Sequence, residues 1–214
     1  MSDPVKSTTG RGTRRAAQAR ATRRRIIDAA RELFLRQGYA STTLDQIAAT
    51  AGVAVQTVYF HFGNKATVLK EIIDVLSVGD DEPIPVLDRP WLEQVREEPD
   101  GRRALAIWMA NSRLIFGRVA PIMTIVRDAA GADAEMAAQW EVNQGQRYLA
   151  HHVLAELLAD KQALRPDLTA EEAADVIFVM ISVEVYHLLV HVRGWTPERW
   201  ERWIYQILTA AILR

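Results

Sequence analysis

Three side chains in an otherwise apolar stretch carry groups that could do chemistry. Glu184, His187 and His191 stand at i, i+3 and i+7, which places a carboxylate and two imidazoles on one face of a helix. That set suits three uses: metal ligation completed by His151 or His152, contact with a bound ligand, or polar pairing inside a helix–helix seam. His151 and His152 are adjacent, so their rings point to different helix faces and do not make one site. Other chemistries lack their parts. The chain has no cysteine, hence no thiolate nucleophile, thiolate zinc site or disulfide. It also has no Gly-rich phosphate loop and no nucleophile elbow, so no enzyme activity, metal or cofactor is expected. A second group of residues has a different use: Gln56, Thr57, Tyr59 and Phe60 lie on a short helical stretch just after Gly52. A Gln amide there can pair bidentately with adenine, and a Thr can meet a thymine methyl or a phosphate.

The elements that must position these groups are helical throughout. Ile26, Ala30, Leu33 and Phe34 form one apolar stripe that ends at Gly38. Thr43-Leu44-Asp45-Gln46 reads as a capping box, and Leu44, Ile47, Ala48 and Ala51 give the following helix its apolar face up to Gly52. A third short helix covers Val55–Phe60, and Asn64 caps a fourth that runs to about Leu76. The segment GDDEPIPVLDRP (Gly79–Pro90) has three prolines and four acids and is read as a loop. Beyond it, helices are expected near Trp91–Glu97, Gly101–Val119, Pro121–Ala130, Ala132–Ala159, Ala170–Val192 and Pro197–Leu213. A second capping box (Thr169 to Glu172) and a Thr196-Pro197-Glu198 start support the last two. No alternating strand pattern of useful length occurs. The fold class is all-α.

Charge separates the chain into unlike parts. The 214 residues carry 26 Lys plus Arg against 27 Asp plus Glu, a net of −1. Residues 1–76 are net +6 and residues 77–214 net −7. A basic end on an acidic body suggests that the end meets nucleic acid. Two short helices around a tight Gly turn, behind a basic arm and a first helix, are a helix-turn-helix arrangement.

The stretch Thr22–Ile72, above all TTLDQIAATAGVAVQTVYFHFGNKATVLKEI, resembles the DNA-binding domain of TetR-family transcriptional regulators. The matching elements are Phe34, Gly38-Tyr39, Thr42-Thr43, Ile47-Ala48, Ala51-Gly52-Val53, Thr57 to Phe62, and Asn64-Lys65 before Leu69. The resemblance implies base contacts from Val55, Gln56, Thr57 and Phe60, and phosphate contacts from Thr43, Tyr59, His61 and Lys65. One position departs from the pattern: Ala54 stands where Ser or Thr commonly caps the recognition helix, so that helix is expected to order fully only on DNA. The domain organisation expected is a flexible basic arm (1–20), a helix-turn-helix domain (21–76, with 65–76 linking) and a helical ligand-binding and dimerisation domain (77–214).

In that acidic body, Trp108, Phe116, Met123, Trp140 and Tyr148, with Asn111, Arg113 and Asn143 among them, and Glu184 and His187, are the candidates for a mostly apolar effector pocket; Arg147 and His151 lie in the same stretch. Trp200, Trp203, Ile204, Ile207, Leu208 and Ala211 make a wide apolar stripe on the last helix, read as the homodimer interface. The function expected is a ligand-responsive regulator, a repressor that holds a palindromic operator in double-stranded DNA as a homodimer and is released by a small hydrophobic effector. The alternative is a small-molecule or partner-binding helical protein with degenerate sequence readout. No membrane partner is expected: the longest apolar stretch, Val176–Val192, is interrupted by Ser182, Glu184, His187 and His191, and no secretory signal is seen. The expected location is the cytoplasm, on the nucleoid when DNA is bound. Four Lys against 22 Arg, with abundant Ala, is a composition associated with GC-rich bacterial genomes.

Overall fold

A computed structural model describes residues 9–79 and 84–214, with side chains from Arg14 onward. Two compact units meet at Ile72/Ile73, inside the fourth helix.

The first unit packs three helices and the start of a fourth around one small core. Helix α1 spans Thr9–Gln37, α2 Leu44–Ala51, α3 Val55–Phe62 and α4 Lys65–Val78. The α1 stripe buries Ile26, Ala30, Leu33 and Phe34 against Ile47, Ala48, Val58, Phe62, Leu69 and Ile72. The helix therefore begins well inside the stretch expected to be a flexible arm. Ala and Arg, both strong helix formers, fill positions 14–25 and let the helix extend past its buried part. The first eight residues of the expected arm lie outside the described ones.

The second unit contains α5 (Pro90–Glu97), α6 (Gly101–Ala129), α7 (Ala134–Asp160), α8 (Ala170–Met180), α9 (Val183–Tyr186) and α10 (Pro197–Ile212). Among the described residues the only extended pairing is the isolated bridge between Leu164 and Leu213. The loop expected at Gly79–Pro90 contains a 3-10 turn at Val86–Asp88, and Pro90 is already the first residue of α5. Gly101 opens α6 where Asp100 accepts from the amides of Arg102 and Arg103, and its lack of a side chain is required by packing. A Cβ there would stand 2.2 Å from the Cβ of Ala163.

Two expectations are corrected here. Pro121 does not divide α6, which runs unbroken through it. Proline forfeits one hydrogen bond to the preceding turn, but Phe116, Val119, Ala120, Ile122, Met123 and Val126 are all buried around it and hold the helix together. The converse holds for Ala170–Val192, read as one helix. The chain leaves helical geometry at Ile181 (φ −97°, ψ 70°) and Ser182 (φ −124°, ψ 157°), restarts as α9, and then passes into a π-helical turn at His187–Val192. In that turn the Arg193 amide reaches back to the Leu188 carbonyl at 2.9 Å. By length and composition alone the 23-residue segment could cross a membrane, and 39% of its most apolar window is buried in the fold.

Candidate nucleic-acid interface

The turn between α2 and α3 is built by local bonds. Thr43 Oγ1 accepts from the Gln46 amide at 3.2 Å and Gln46 Oε1 accepts from the Thr43 amide at 3.0 Å, the reciprocal capping box expected. At the other end Gly52 takes the left-handed conformation (φ 66°, ψ 42°), and the Val53 amide donates to the Ala48 carbonyl at 3.0 Å. Helix α3 then starts at Ala54 with no side-chain cap, yet is complete over eight residues because Val58 and Phe62 are locked in the core.

Burying Val58 and Phe62 turns the opposite face of α3 outward. Gln56 is exposed, Tyr59 is 54% exposed and Phe60 is 85% exposed. Gln56 and Phe60, one turn apart, are neighbours on that face, with Tyr59 beside them. Val55 and Thr57 are half-buried at its margin. His61 is half-buried, its ring 5.4 Å from that of Phe60 and 6.1 Å from that of Phe62.

The residues expected on phosphates divide. Thr43 is exposed, and its hydroxyl accepts the cap bond while keeping a hydrogen to donate. Lys65 has partners inside the unit: Nζ donates to the carbonyls of Tyr39 (2.8 Å) and Thr42 (3.0 Å) and lies 4.1 Å over the Tyr39 ring. Asn64 caps α4 as expected, accepting from the Thr67 amide at 2.8 Å. Along α1, Arg23 pairs with Glu71, Arg24 with Asp28 and Arg36 with Glu32, whereas Arg14, Arg15, Arg20 and Arg25 are exposed.

Residues 26–72 match the family model described as bacterial regulatory proteins, tetR family. The helix-turn-helix region of this chain is therefore similar to that of the tetR family of regulators. The HTH-type transcriptional regulator TtgR of Pseudomonas putida is 29% identical over 168 residues, 77% of this chain and 78% of that protein. NalD, described as the secondary repressor of a multidrug efflux pump in Pseudomonas aeruginosa, superposes with a TM-score of 0.71 at 25% identity, covering 92% of this chain and 98% of that one. A SmeT–triclosan complex superposes at 0.69 with 21% identity, covering 91% and 92%. The first curated relatives match over 58 residues, so the chain spans 43% and 27% of their length.

In the second unit, the residues expected to line one pocket fall into several places. Trp108 is buried edge-on to Trp91, ring centroids 5.2 Å apart, and 6.5 Å from His151. Phe116 belongs to another cluster with Tyr186 (5.7 Å) and Trp200 (5.6 Å). Tyr148 stacks edge-on to Phe178 at 5.6 Å, and its hydroxyl pKa is raised by burial and by the nearby charge of Asp175. Met123 is buried and Trp140 half-buried. Asn111 donates to its own helix at the Ile107 carbonyl, Asn143 accepts from Gln139, and Arg113 pairs with Glu201 (2.5 Å) and Glu198 (3.3 Å). An open groove of about 270 Å³ lies instead between α6 and α10, lined by Met109, Glu201, Arg202 and Tyr205 among others.

The Glu184, His187, His191 stripe is redistributed by the helix break and the π turn. Glu184 is half-buried near Arg147, and the two imidazoles face each other at 5.6 Å. Among the described residues no three His, Asp or Glu side chains are grouped closely enough to hold a metal ion.

The dimer stripe also needs correcting. Trp200, Ile204 and Leu208 are 0% exposed, because they are the face by which α10 packs on its own subunit; Trp203, Ile207 and Ala211 are half-buried beside them. The large apolar side chains left outward nearby are Val179, Leu188 and Val192.

Sequence reasoning gave Phe178 no role and placed Arg147 only among the polar groups of the pocket-bearing stretch. Arg147 donates to the carbonyls of Phe178 and Ile181 (2.8 Å to the latter), closing the end of α8, and its guanidinium lies 3.7 Å over the Phe178 ring. Burial lowers its pKa to about 10, partly opposed by Glu184. The i, i+4 pair of Arg147 and His151 on an otherwise apolar face was the available signal.

Proposed function

We propose that this protein is a transcriptional repressor that binds a palindromic operator as a homodimer and is released by a small hydrophobic effector. The observation that carries the proposal is the outward face of α3, where Gln56, Tyr59 and the 85% exposed Phe60 stand beside a helix locked by Val58 and Phe62. Exposed together, the two aromatics offer a partner an apolar surface, and a Gln beside them fits a base edge in the major groove. Thr43 and the exposed arginines of α1 supply phosphate contacts. The start of α3, where Ala54 supplies no side-chain cap, adds a positive end.

The homodimer is assigned to the outward side of segment 170–192 (Val179, Leu188, Val192), with Trp203, Ile207 and Ala211 at its margin. Pairing there sets two recognition helices about one DNA turn apart or a near multiple. Effector release requires a ligand that prefers the DNA-incompetent state, by a coupling of about 1–3 kcal/mol. Within the second unit Arg118 of α6 donates to the carbonyls of Leu76 (2.8 Å) and Ser77 (3.3 Å), so a shift of α6 bears on the end of α4. Relatives that repress a multidrug efflux pump or hold triclosan support a hydrophobic effector. The site of action is the cytoplasm, on DNA.

The test is binding to the operator and to single-base variants of it. Gln56→Ala should flatten discrimination at one base pair per half-site by about 1–3 kcal/mol while leaving the others unchanged. Unchanged relative affinity across every variant would remove Gln56 from base reading, and the absence of any salt-sensitive specific complex in the wild type would remove the repressor.

A further inference from the structure

Two imidazoles near the end of segment 170–192 serve neither a cap nor an ion pair. His187 is half-buried and His191 exposed, with ring centroids 5.6 Å apart, and among the described residues neither makes a hydrogen bond. Both lie in the π-helical turn, where the Arg193 amide reaches the Leu188 carbonyl five residues back. In a turn so widened, side chains four apart stand nearly one above the other, and single π turns are frequent at functional sites. Buried Tyr186 meets His191 edge-on at 5.9 Å and fixes that ring. Two imidazoles bound to one tetrahedral ion have centroids about 5 Å apart, so this pair needs to close by only about half an ångström to chelate one. Leu188 and Val192, the exposed apolar side chains of the same turn, belong to the face assigned to a second copy.

We propose that His187 and His191 are one half of a divalent transition-metal site, completed by the same pair from a second copy, so that one zinc-type ion is shared across the pairing face. The proposal rests on the homodimer reading above and adds to it an ion and a ligand set.

The ligand count requires the second copy. One chain brings two nitrogens together and, among the described residues, no group of three ligands, whereas a closed zinc site takes four. An isologous interface presents every residue on it twice, which turns two imidazoles into four. Four imidazoles suit zinc and its transition-metal neighbours. Calcium and magnesium want carboxylate and carbonyl oxygens, and the set holds none. Glu184, one turn earlier, is not counted: it is half-buried and its charge bears on Arg147. An ion that needs both copies binds the pair better than either copy alone, so it must tighten their association.

Zinc chloride added to the chelator-treated full chain tests this by calorimetry and sedimentation. We expect saturation at one ion per two chains and a dimer at least about tenfold tighter than in chelator. Cobalt in place of zinc should give the strong visible absorption of tetrahedral coordination, whereas two imidazoles completed by water would give the weak octahedral spectrum. His187→Gln and His191→Gln keep a polar side chain but lose the ligand, and each should abolish all three signals. His152→Gln, which removes the imidazole paired with Glu156 on α7, should abolish none. Saturation at one ion per chain, an octahedral cobalt spectrum, association indifferent to zinc, binding that survives His191→Gln, or no binding at all overturns the proposal. The wild-type stoichiometry and cobalt spectrum decide the matter even where a variant folds poorly. The homodimer reading is scored separately, in chelator. A metal-free dimer split by Leu188→Glu keeps that reading whatever zinc does; a metal-free dimer that Leu188→Glu leaves intact ends the assignment of the face, and the zinc stoichiometry still judges the site.

Discussion

Removing the Lys65 ammonium takes two charge-assisted hydrogen bonds from the turn that leads into α2. Lys65→Met should therefore lower stability by about 2 kcal/mol and weaken all DNA alike, through the scaffold. Denaturant unfolding checks the first, and an unchanged salt slope of DNA binding separates this role from direct phosphate contact. His151 gives a second residue-scale prediction. In the unfolded chain its imidazole takes a proton near the usual histidine value, but in the fold only near pH 3, chiefly because of burial. The unfolded state thus binds more protons between those values. Stability should be full at neutral pH and fall as the pH drops below about 6.5, and His151→Leu should flatten that fall in thermal scans from pH 7 to pH 4. At this scale legibility depended on distance along the chain. The Thr43–Gln46 box and the Asn64 cap close within one turn and could be read from residue types. Lys65 finds its carbonyls 23 and 26 residues away, where no local pattern points.

Among the elements, α6 is positioned by its first residue. The Cβ of Gly101→Ala would collide with Ala163 at 2.2 Å, with Leu158 at 3.5 Å closing the other side. Ala163 has no side chain to swing away, so we expect a loss of about 1–3 kcal/mol, read as a lower urea midpoint with an unchanged slope. The helices themselves were largely legible, because apolar period, capping boxes and Gly stops all act locally. The errors came where tertiary packing overruled a local signal. Pro121 marks a stop in isolation, but burial on both sides carries α6 through it. Val176–Val192 contains no Pro or Gly, and still the helix breaks at Ile181–Ser182, because Arg147 receives its loose carbonyls and Ser182 caps the restart at the Val185 amide. The arm was misread for another reason: helix propensity extends α1 where nothing is buried.

For the whole molecule, the apolar stripe of α10 was read as a surface between copies and proved to be the subunit's own core. Periodicity shows which face of a helix is hidden but not what hides it. If the proposed pairing face is Val179, Leu188 and Val192, Leu188→Glu should leave a folded monomer in sedimentation and reduce operator affinity steeply, since one recognition helix replaces two. A dimer that survives the substitution places the interface elsewhere. The split of charge, +6 before residue 77 and −7 after it, fits a reading head that meets phosphate and a body repelled by it. The break in segment 170–192 has a consequence for how the chain may be taken apart. Arg147 acts on it from 31 and 34 residues upstream, so the bend is not written into the segment that bends. Excised as a peptide, those residues would form a straight rod; the corner is on loan from α7, and is returned whenever α7 leaves.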